Sequence, residues 1–237
     1  MLQACLNGAR TRQDHPRVPL SAEELALDAE RVVGAGVTEL HVHPRDAKGI
    51  ETLAPDDIAA AVQAIRAKVP GVPVGLSTRE GIRTDRSRGF DALRAWSVLP
   101  DYVSVNLSEA DAPEIIALMS EKGVAVEAGL ATAADARRFV KLATAKQALR
   151  VLVEIDFEKD VAGALRLADE IMGILEDSRF GLPILLHGFD ETMWPLYHRS
   201  LELGVDARLG LEDGVTLPDG SLAADNSDII RAIGKVA

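Results

Sequence analysis

Residues 37–77 read VTELHVHPRDAKGIETLAPDDIAAAVQAIRAKVPGVPVGLS, two short apolar runs on either side of an amphipathic stretch. Apolar residues alternate or run together in Val37–His43 and Val72–Ser77, whereas in Pro55–Lys68 they recur at helical spacing. A strand, a helix and a second strand in this order form the repeating unit of parallel α/β proteins. The segment therefore predicts one such unit.

The same unit recurs along the whole chain. The predicted strands are Leu2–Asn7, Val37–His43, Val72–Ser77, Tyr102–Asn106, Val124–Ala128, Leu149–Ile155, Pro183–His187 and Ala207–Glu212. The predicted helices are Ala22–Val33, Pro55–Lys68, Arg88–Val98, Ala112–Glu121, Ala133–Leu142, Val161–Leu175, Glu191–Leu203 and Asn226–Ile233. Eight strand–helix units in 237 residues predict an α/β fold of the closed (β/α)8 TIM barrel type.

An open, doubly wound sheet is the main alternative to a barrel. No GxGxxG opens a helix after the first strand and no Walker-type phosphate loop is present, so nothing favours a nucleotide-binding sheet. No low-complexity linker divides the chain. We therefore expect a single barrel domain over residues 1–237.

The composition narrows the class of partner. With 26 Lys and Arg against 37 Asp and Glu, the net charge is −11, which disfavours non-specific binding to nucleic acid or to an anionic membrane. Small molecules or other protein chains are the expected partners. A single cysteine, Cys5, allows no internal disulfide, and no apolar run approaches the ~20 residues that span a bilayer. These features predict a cytoplasmic protein.

Polar residues cluster where the predicted strands end. Side chains alternate along a barrel strand, and barrel active sites form at the carboxyl ends of the strands. This alternation turns His41 and His43 to the interior near one strand end, and Arg208 and Glu212 to the interior of the last strand. The polar residues with the same interior parity on other strands are Ser77, Ser104, Asn106, Glu127, Glu154 and His187. Because a buried polar group without a partner costs ~1–3 kcal/mol, a shared site explains them better than packing does.

These residue types indicate metal-assisted chemistry. Imidazoles at His41 and His43 can reach one ion, and a carboxylate such as Glu212 can complete a set that leaves positions open for substrate. Alternatively, each histidine is a hydrogen-bonded interior side chain. Arg208 and Asp213 could set up a general base, or could form an ion pair that only ties strand to loop.

Hydroxyl and amide groups offer a second kind of function. The side chains of Ser77, Ser104 and Asn106 can hold a substrate oxyanion or carboxylate by hydrogen bonds. The same groups can also cap local backbone. Residue type alone leaves both possibilities open.

Six motifs together resemble the β-keto acid cleavage enzymes, typified by 3-keto-5-aminohexanoate cleavage. The motifs are NGART at 7–11, HVHPRD at 41–46, LST at 76–78, SVN at 104–106, VEAG at 126–129 and RLGLED at 208–213. The resemblance implies a zinc-dependent barrel that exchanges an acyl group between a β-keto acid and acetyl-CoA, giving acetoacetate and a new acyl-CoA. It also implies a homo-oligomer.

The resemblance assigns a role to ten residues of this chain. It implies that Zn2+, or another divalent transition metal, is bound by His41, His43 and Glu212. It implies that the catalytic residues are Asp213, Arg208 and Ser77, with Asp213 as the general base. The residues implied in substrate binding are Arg10, Ser104, Asn106 and Glu127.

Three motifs depart from the family pattern. Arg10 stands where characterised members carry a carboxylate, and a permanent cation there suits an anionic substrate group. The third-strand motif reads STRE at 77–80 instead of STGG. The sixth strand runs into EIDFEKD at 154–160 instead of a glycine-rich loop, and this acidic loop should repel an anionic cofactor.

Two other functions fit part of the pattern. A metal-dependent hydrolase of the amidohydrolase type also carries HxH at a strand end, but it needs further histidines and a late aspartate. A non-catalytic barrel that binds a small carboxylic acid would keep the arginines and hydroxyls yet tolerate loss of the metal. Metal analysis of ligand variants and an assay on β-keto acids separate these possibilities.

Overall fold

The computed structural model describes residues 1–83 and 86–235. Its strands are β1 Leu2–Cys5, β2 Glu39–Val42, β3 Val74–Ser77, β4 Tyr102–Asn106, β5 Ala125–Leu130, β6 Arg150–Ile155, β7 Ile184–Gly188 and β8 Asp206–Leu209. Its α-helices are α1 Ala22–Gly34, α2 Pro55–Lys68, α3 Arg86–Ala95, α4 Ala112–Glu121, α5 Ala133–Phe139, α6 Val161–Asp177, α7 Met193–Leu203 and α8 Asn226–Ala232. Strands and helices alternate throughout, as the sequence predicts.

The strands form a closed barrel in the order β1 to β8. Strand β2 pairs in parallel with β1 and with β3, and its residue His41 lies opposite Cys5 of β1 and Gly75 of β3. Aliphatic residues of the strands are buried, among them Leu40, Val42 and Leu76. The prediction of a (β/α)8 barrel is therefore confirmed, and the open sheet is excluded.

Internal contacts divide the chain into two units, Met1–Asp101 with Leu209–Ala237, and Tyr102–Arg208. In the first unit, α1 packs against α2 and α8. In the second unit, α6 packs against α5, α7 and its own strand β6. The single domain over residues 1–237 stays a prediction.

Local signals account for several element boundaries. Helix α1 begins after a capping box in which the Ser21 hydroxyl accepts from the Glu24 amide at 3.1 Å and the Glu24 carboxylate accepts from the Ser21 amide at 3.1 Å. Helix α2 has Pro55 in its first turn, where a missing N–H costs nothing. None of the helices among the described residues is long and apolar enough to cross a membrane.

One predicted boundary is wrong in a way that matters for function. The eighth strand was expected to continue to Glu212, but β8 ends at Leu209. The amides of Asp213 and Gly214 donate to the Gly210 carbonyl at 2.9 and 3.0 Å, so the chain turns directly after the strand. Glu212 is therefore placed by a turn and not by strand alternation.

Asn226, at the start of α8, holds three segments of the first unit together. Its side-chain amide donates to the Leu6 carbonyl at 2.8 Å and to Asp28 Oδ2 at 2.5 Å, and its oxygen accepts from the Leu211 amide at 2.6 Å. The end of β1, helix α1 and the turn after β8 are thereby joined. Asp28 is buried at this junction, with 3% of its surface exposed.

The burial of Asp28 leads to a prediction about stability. Burial raises the pKa of Asp28 from 3.8 to about 6, because it outweighs the opposing hydrogen bond from Asn226. A carboxyl whose pKa is higher in the folded than in the unfolded state contributes most to stability at low pH. This contribution is lost as the pH rises from 3.8, the unfolded pKa, to about 6, the folded pKa. We expect Asp28→Asn to increase the free energy of unfolding at neutral pH by up to ~3 kcal/mol.

Urea unfolding of the variant and the parent protein measures this effect. The stabilisation should be present at about pH 7 and should disappear at about pH 3, below the unfolded pKa of 3.8, where the parent's Asp28 is mostly protonated in both states. Comparing the two proteins at each pH cancels the titration of all other groups. Equal stability at neutral pH, or a difference that does not depend on pH, would contradict the prediction.

Candidate metal centre and active site

His41, His43 and Glu212 converge in the first unit. His41 lies on β2, His43 follows the end of that strand, and Glu212 lies in the turn after β8. The Nε2 atoms of the two histidines are 3.1 Å apart, and His43 Nε2 is 3.4 Å from Glu212 Oε1. One ligand atom from each residue lies within 4.8 Å of the others. The structure thus brings together the three predicted metal ligands.

The geometry of these donors fits a divalent cation. Ligand atoms ~2.0–2.2 Å from a tetrahedral ion are separated by roughly 3.3 Å, close to the two separations given above. Two imidazoles and one carboxylate form a donor set typical of zinc and other divalent transition metals, with positions left for water or substrate. Both histidines are buried, so their imidazoles are shielded from bulk water. The cluster can therefore hold a metal ion.

The electrostatics of His43 also favour a cation. Burial disfavours a charged imidazole, but the carboxylates of Glu212 and Glu51 outweigh it and raise the pKa of His43 above its usual value. Glu51 Oε1 lies 2.5 Å from His43 Nδ1, on the side of the ring away from Nε2, the nitrogen that faces His41 and Glu212. The two carboxylates thus favour positive charge at this position, as a proton or as a metal ion.

The loop after β1 supports His43 through its backbone. The His43 amide donates to Asn7 Oδ1 at 2.9 Å, and Asn7 Nδ2 donates to the His43 carbonyl at 2.8 Å. This pair of hydrogen bonds fixes the backbone just beyond the end of β2. The NGART motif therefore contributes to the site through its asparagine, a role that the sequence did not indicate.

Gly8 of the same loop lies against Glu212, the third predicted ligand. Its φ is +54°, and a Cβ added there would lie 2.3 Å from Glu212 Cγ. The side chain of Glu212 consequently packs directly on the backbone of Gly8. Only glycine combines this backbone conformation with this close approach.

Arg10 is directed at the backbone of the turn after β8. Its Nε donates to the Glu212 carbonyl at 3.0 Å, and a terminal nitrogen lies 3.4 Å from the Asp213 carbonyl. Arg45 in turn donates to the carbonyls of Gly8 and Arg10 at 2.8 and 2.7 Å. These bonds fix the turn after β8 to the first loop, while binding of a substrate anion by Arg10 stays a prediction.

Asp213, the predicted base, is fully buried in the first unit. The thiol of Cys5 donates to its Oδ2 at 2.8 Å. Cys5 itself lies at the end of β1 and is fully buried. Arg208, on β8, is buried in the second unit, and its action on Asp213 stays a prediction.

Ser77, at the end of β3, is also buried in the first unit. Its hydroxyl lies 3.4 Å from the Arg79 amide, a long contact with its own loop. The local backbone role considered for Ser77 is thus observed, and its catalytic role stays a prediction.

The remaining predicted residues belong to the second unit. Ser104 and Asn106 on β4 lie opposite Glu127 and Gly129 of β5. A Cβ added at Gly129 would lie 3.1 Å from Asn106 Oδ1 and 2.5 Å from Glu154 Oε1, so both side chains lie over this glycine. Substrate binding by Ser104 and Asn106 stays a prediction.

Glu127 forms a buried ion pair within the second unit. Arg150 Nε donates to Glu127 Oε2 at 2.7 Å, and the guanidinium lies 5.0 Å from the centre of the Tyr102 ring. Both charged side chains are at most 5% exposed. This pairing gives Glu127 a structural role, and its substrate-binding role stays a prediction.

Comparison with known proteins addresses the chain as a whole. A family model described as beta-keto acid cleavage enzyme matches residues 1–237. The chain is 24% identical to 3-oxoadipate:acetyl-CoA acetyltransferase of Cupriavidus necator over 98% of this chain and 86% of that protein. It is 23% identical to 3-keto-5-aminohexanoate cleavage enzyme of Fusobacterium nucleatum over 100% of this chain and 90% of that protein.

Solved structures support the fold. A binary complex of ObcA with oxaloacetate aligns with a TM-score of 0.72 at 18% identity, covering 93% of this chain and 63% of that one. The chain thus spans less than two thirds of ObcA. A 3-dehydroquinate dehydratase from Aquifex aeolicus aligns with a TM-score of 0.61 at 11% identity, covering 99% and 98% of the two chains.

The full-length family match agrees with the clustered donors. The HVHPRD and RLGLED motifs provide the three residues that meet in the first unit, and Asp213 directly follows Glu212 in the turn after β8. The match covers the whole barrel, and the names of the two relatives describe acetyl transfer with a β-keto acid and cleavage of a β-keto acid. The chain is an enzyme that belongs to the β-keto acid cleavage enzyme family.

Proposed function

We propose that the protein catalyses zinc-dependent acyl exchange between a β-keto acid and acetyl-CoA, giving acetoacetate and a new acyl-CoA. The convergence of His41, His43 and Glu212 carries the proposal. The name of the Cupriavidus necator relative supports acetyl-CoA as co-substrate, and the donor set supports zinc. A homo-oligomer in the cytoplasm is part of the same prediction.

The overall exchange balances without any further reactant. The bond between C2 and C3 of the β-keto acid breaks, and its acyl part forms a thioester with the CoA sulfur. The acetyl group leaves that sulfur and forms a carbon–carbon bond with C2. Because no net proton is gained or lost, a base that takes a proton during the exchange must return it.

Each predicted site residue has a proposed role in this exchange. His41, His43 and Glu212 would hold the ion, which when bound polarises the β-carbonyl and stabilises developing enolate charge. Asp213 would move the proton at Oδ2, the oxygen to which the Cys5 thiol donates. Arg208 and Ser77 would position the base and the substrate. Arg10, Ser104, Asn106 and Glu127 would bind the rest of the substrate.

A panel of β-keto acids tests the activity. Metal-loaded protein is incubated with each acid, with and without acetyl-CoA, while acetoacetate and acyl-CoA are measured. We expect both products to form together, only when acetyl-CoA is present, from at least one acid of the panel. Hydrolysis without acetyl-CoA would instead favour the amidohydrolase-type alternative, and binding without turnover would favour a carboxylate-binding barrel.

Asp213→Asn tests the proposed base within this assay. General bases contribute about 10²–10⁴-fold to rate, so we expect kcat to fall by that factor while metal content is retained. Asparagine keeps an oxygen that can accept from the Cys5 thiol, so the fold should survive. Asp177→Asn, at the exposed end of α6, makes the same charge change and should leave kcat unaltered. Full activity of Asp213→Asn would remove this residue from the mechanism.

A further inference from the structure

A short hairpin directly after β2 returns the chain to His43. The amide of Asp46 donates to the Ile50 carbonyl at 2.8 Å, and the amide of Thr52 donates to the Pro44 carbonyl at 3.0 Å. Gly49, with φ of +78°, completes the reversal. Arg45 and Glu51 pair across it as an antiparallel bridge. These backbone hydrogen bonds therefore fix the position of Glu51.

The hairpin places the Glu51 carboxylate against the back of His43. Glu51 Oε1 lies 2.5 Å from His43 Nδ1, while His43 Nε2 faces His41 Nε2 and Glu212 Oε1. The two nitrogens of one ring thus have separate partners. An Nδ1–H donated to Glu51 leaves the Nε2 lone pair for a metal ion.

Arg79, in the loop after β3, holds the same carboxylate. Its Nε lies 3.4 Å from Glu51 Oε1, and a terminal guanidinium nitrogen makes a closer contact with Oε2. The Glu51 side chain is only 13% exposed. Arg79 therefore holds the Glu51 carboxylate in place next to the imidazole.

We propose that Glu51 and Arg79 are positioning residues that orient His43 and strengthen it as a metal ligand, with Arg79 acting through Glu51. The inference rests on the proposed metal site and identifies two residues beyond its three ligands. A carboxylate on the non-ligating nitrogen fixes the tautomer and the ring orientation and increases the basicity of the ligating nitrogen. Loss of such a partner typically costs about 10–100-fold in metal affinity.

The test measures zinc affinity directly, without any turnover assay. The parent protein, Glu51→Gln and Glu51→Leu compete with a chromophoric chelator for Zn2+ at one fixed alkaline pH, where protons compete little for imidazoles. We expect about 10–100-fold weaker binding for Glu51→Gln and a larger loss for Glu51→Leu, which offers no acceptor to Nδ1. The ligand-field spectrum of the Co2+-loaded protein should change in the same order.

A matched variant controls for charge. Asp56→Asn, at an exposed site in the first turn of α2, removes one negative charge from the same segment and should bind Zn2+ like the parent. Equal affinities for Glu51→Gln and Asp56→Asn would overturn the proposal. Because Gln is nearly the size of Glu, this comparison remains decisive even if Glu51→Leu does not fold.

The order of action is tested by combining substitutions. Arg79→Met should weaken zinc binding several-fold in the parent but not in Glu51→Gln, since residues that act in series are non-additive. Independent, additive losses would refute the action of Arg79 through Glu51. The outcome is separate from that of the proposed function: an Arg79- and Glu51-dependent zinc site without acyl exchange would retain this inference and reject that reaction.

Discussion

Glu212→Ala is expected to lose its bound divalent metal and its activity on β-keto acids together. The substitution removes the only carboxylate of the described three-residue cluster, in which Glu212 Oε1 lies 3.4 Å from His43 Nε2. Loss of an outer hydrogen-bond partner already costs about 10–100-fold in affinity or activity, so removal of a ligand should cost more. His41→Ala should have the same effect, because two remaining donors cannot enclose the ion.

Metal content after exhaustive dialysis, followed by kcat/KM for the best substrate of the panel, measures both losses. The barrel should remain folded, because alanine at 212 only empties the space next to Gly8. Glu202→Gln, at an exposed position near the end of α7, provides the control for overall charge. If Glu212→Ala retains the parent's metal content, the ligand set is wrong, and with it the role of the metal in the proposed reaction.

Much of the barrel follows from the sequence because its signals are local. Apolar runs and helical periodicity are set by neighbours within a few residues, so β4 at Tyr102–Asn106 and α2 at Pro55–Lys68 have the predicted bounds. The end of β8 was missed for a different reason. In the sequence, the alternation of inward and outward side chains continues to Glu212. The chain nevertheless turns at Gly210, where it contacts β1, and this contact is between residues remote in sequence.

The same difference between local signals and remote contacts decides which parts of the site are predictable from the sequence. His41 and His43 share a face because strand geometry alternates, so their pairing is visible in the sequence. The partners of His43 are not, because Asn7 is 36 residues away and Glu51 reaches the ring only through a hairpin. Arg79 lies 28 residues from Glu51. The STRE departure nevertheless gave a signal, since an arginine in place of glycine needs a partner near the site.

Gly210→Ala is expected to have the largest effect on folding. A Cβ at this position would lie 1.9 Å from the Cys5 carbonyl oxygen, 2.7 Å from its carbon and 3.0 Å from its nitrogen. All three atoms belong to the backbone of β1, so no side-chain rotation relieves the overlap. The two segments must separate, and losses above ~4 kcal/mol arise from overpacking of this kind. We expect little soluble protein, and a strongly reduced urea midpoint for whatever is recovered.

The same substitution connects stability to the site. The Glu212 amide lies 3.4 Å from the Cys5 carbonyl, and the Cys5 thiol donates to Asp213, so moving β1 from Gly210 displaces both the proposed metal ligand and the proposed base. Gly34→Ala is the matched control, because a Cβ there meets nothing within 4 Å and its φ is ordinary. That control should unfold at or slightly above the parent's midpoint, since alanine favours a helix end over glycine by up to ~1 kcal/mol. A Gly210→Ala protein as stable as Gly34→Ala would mean that β1 and the turn after β8 are not in contact, and the positions of Glu212 and Asp213 would then lose their support.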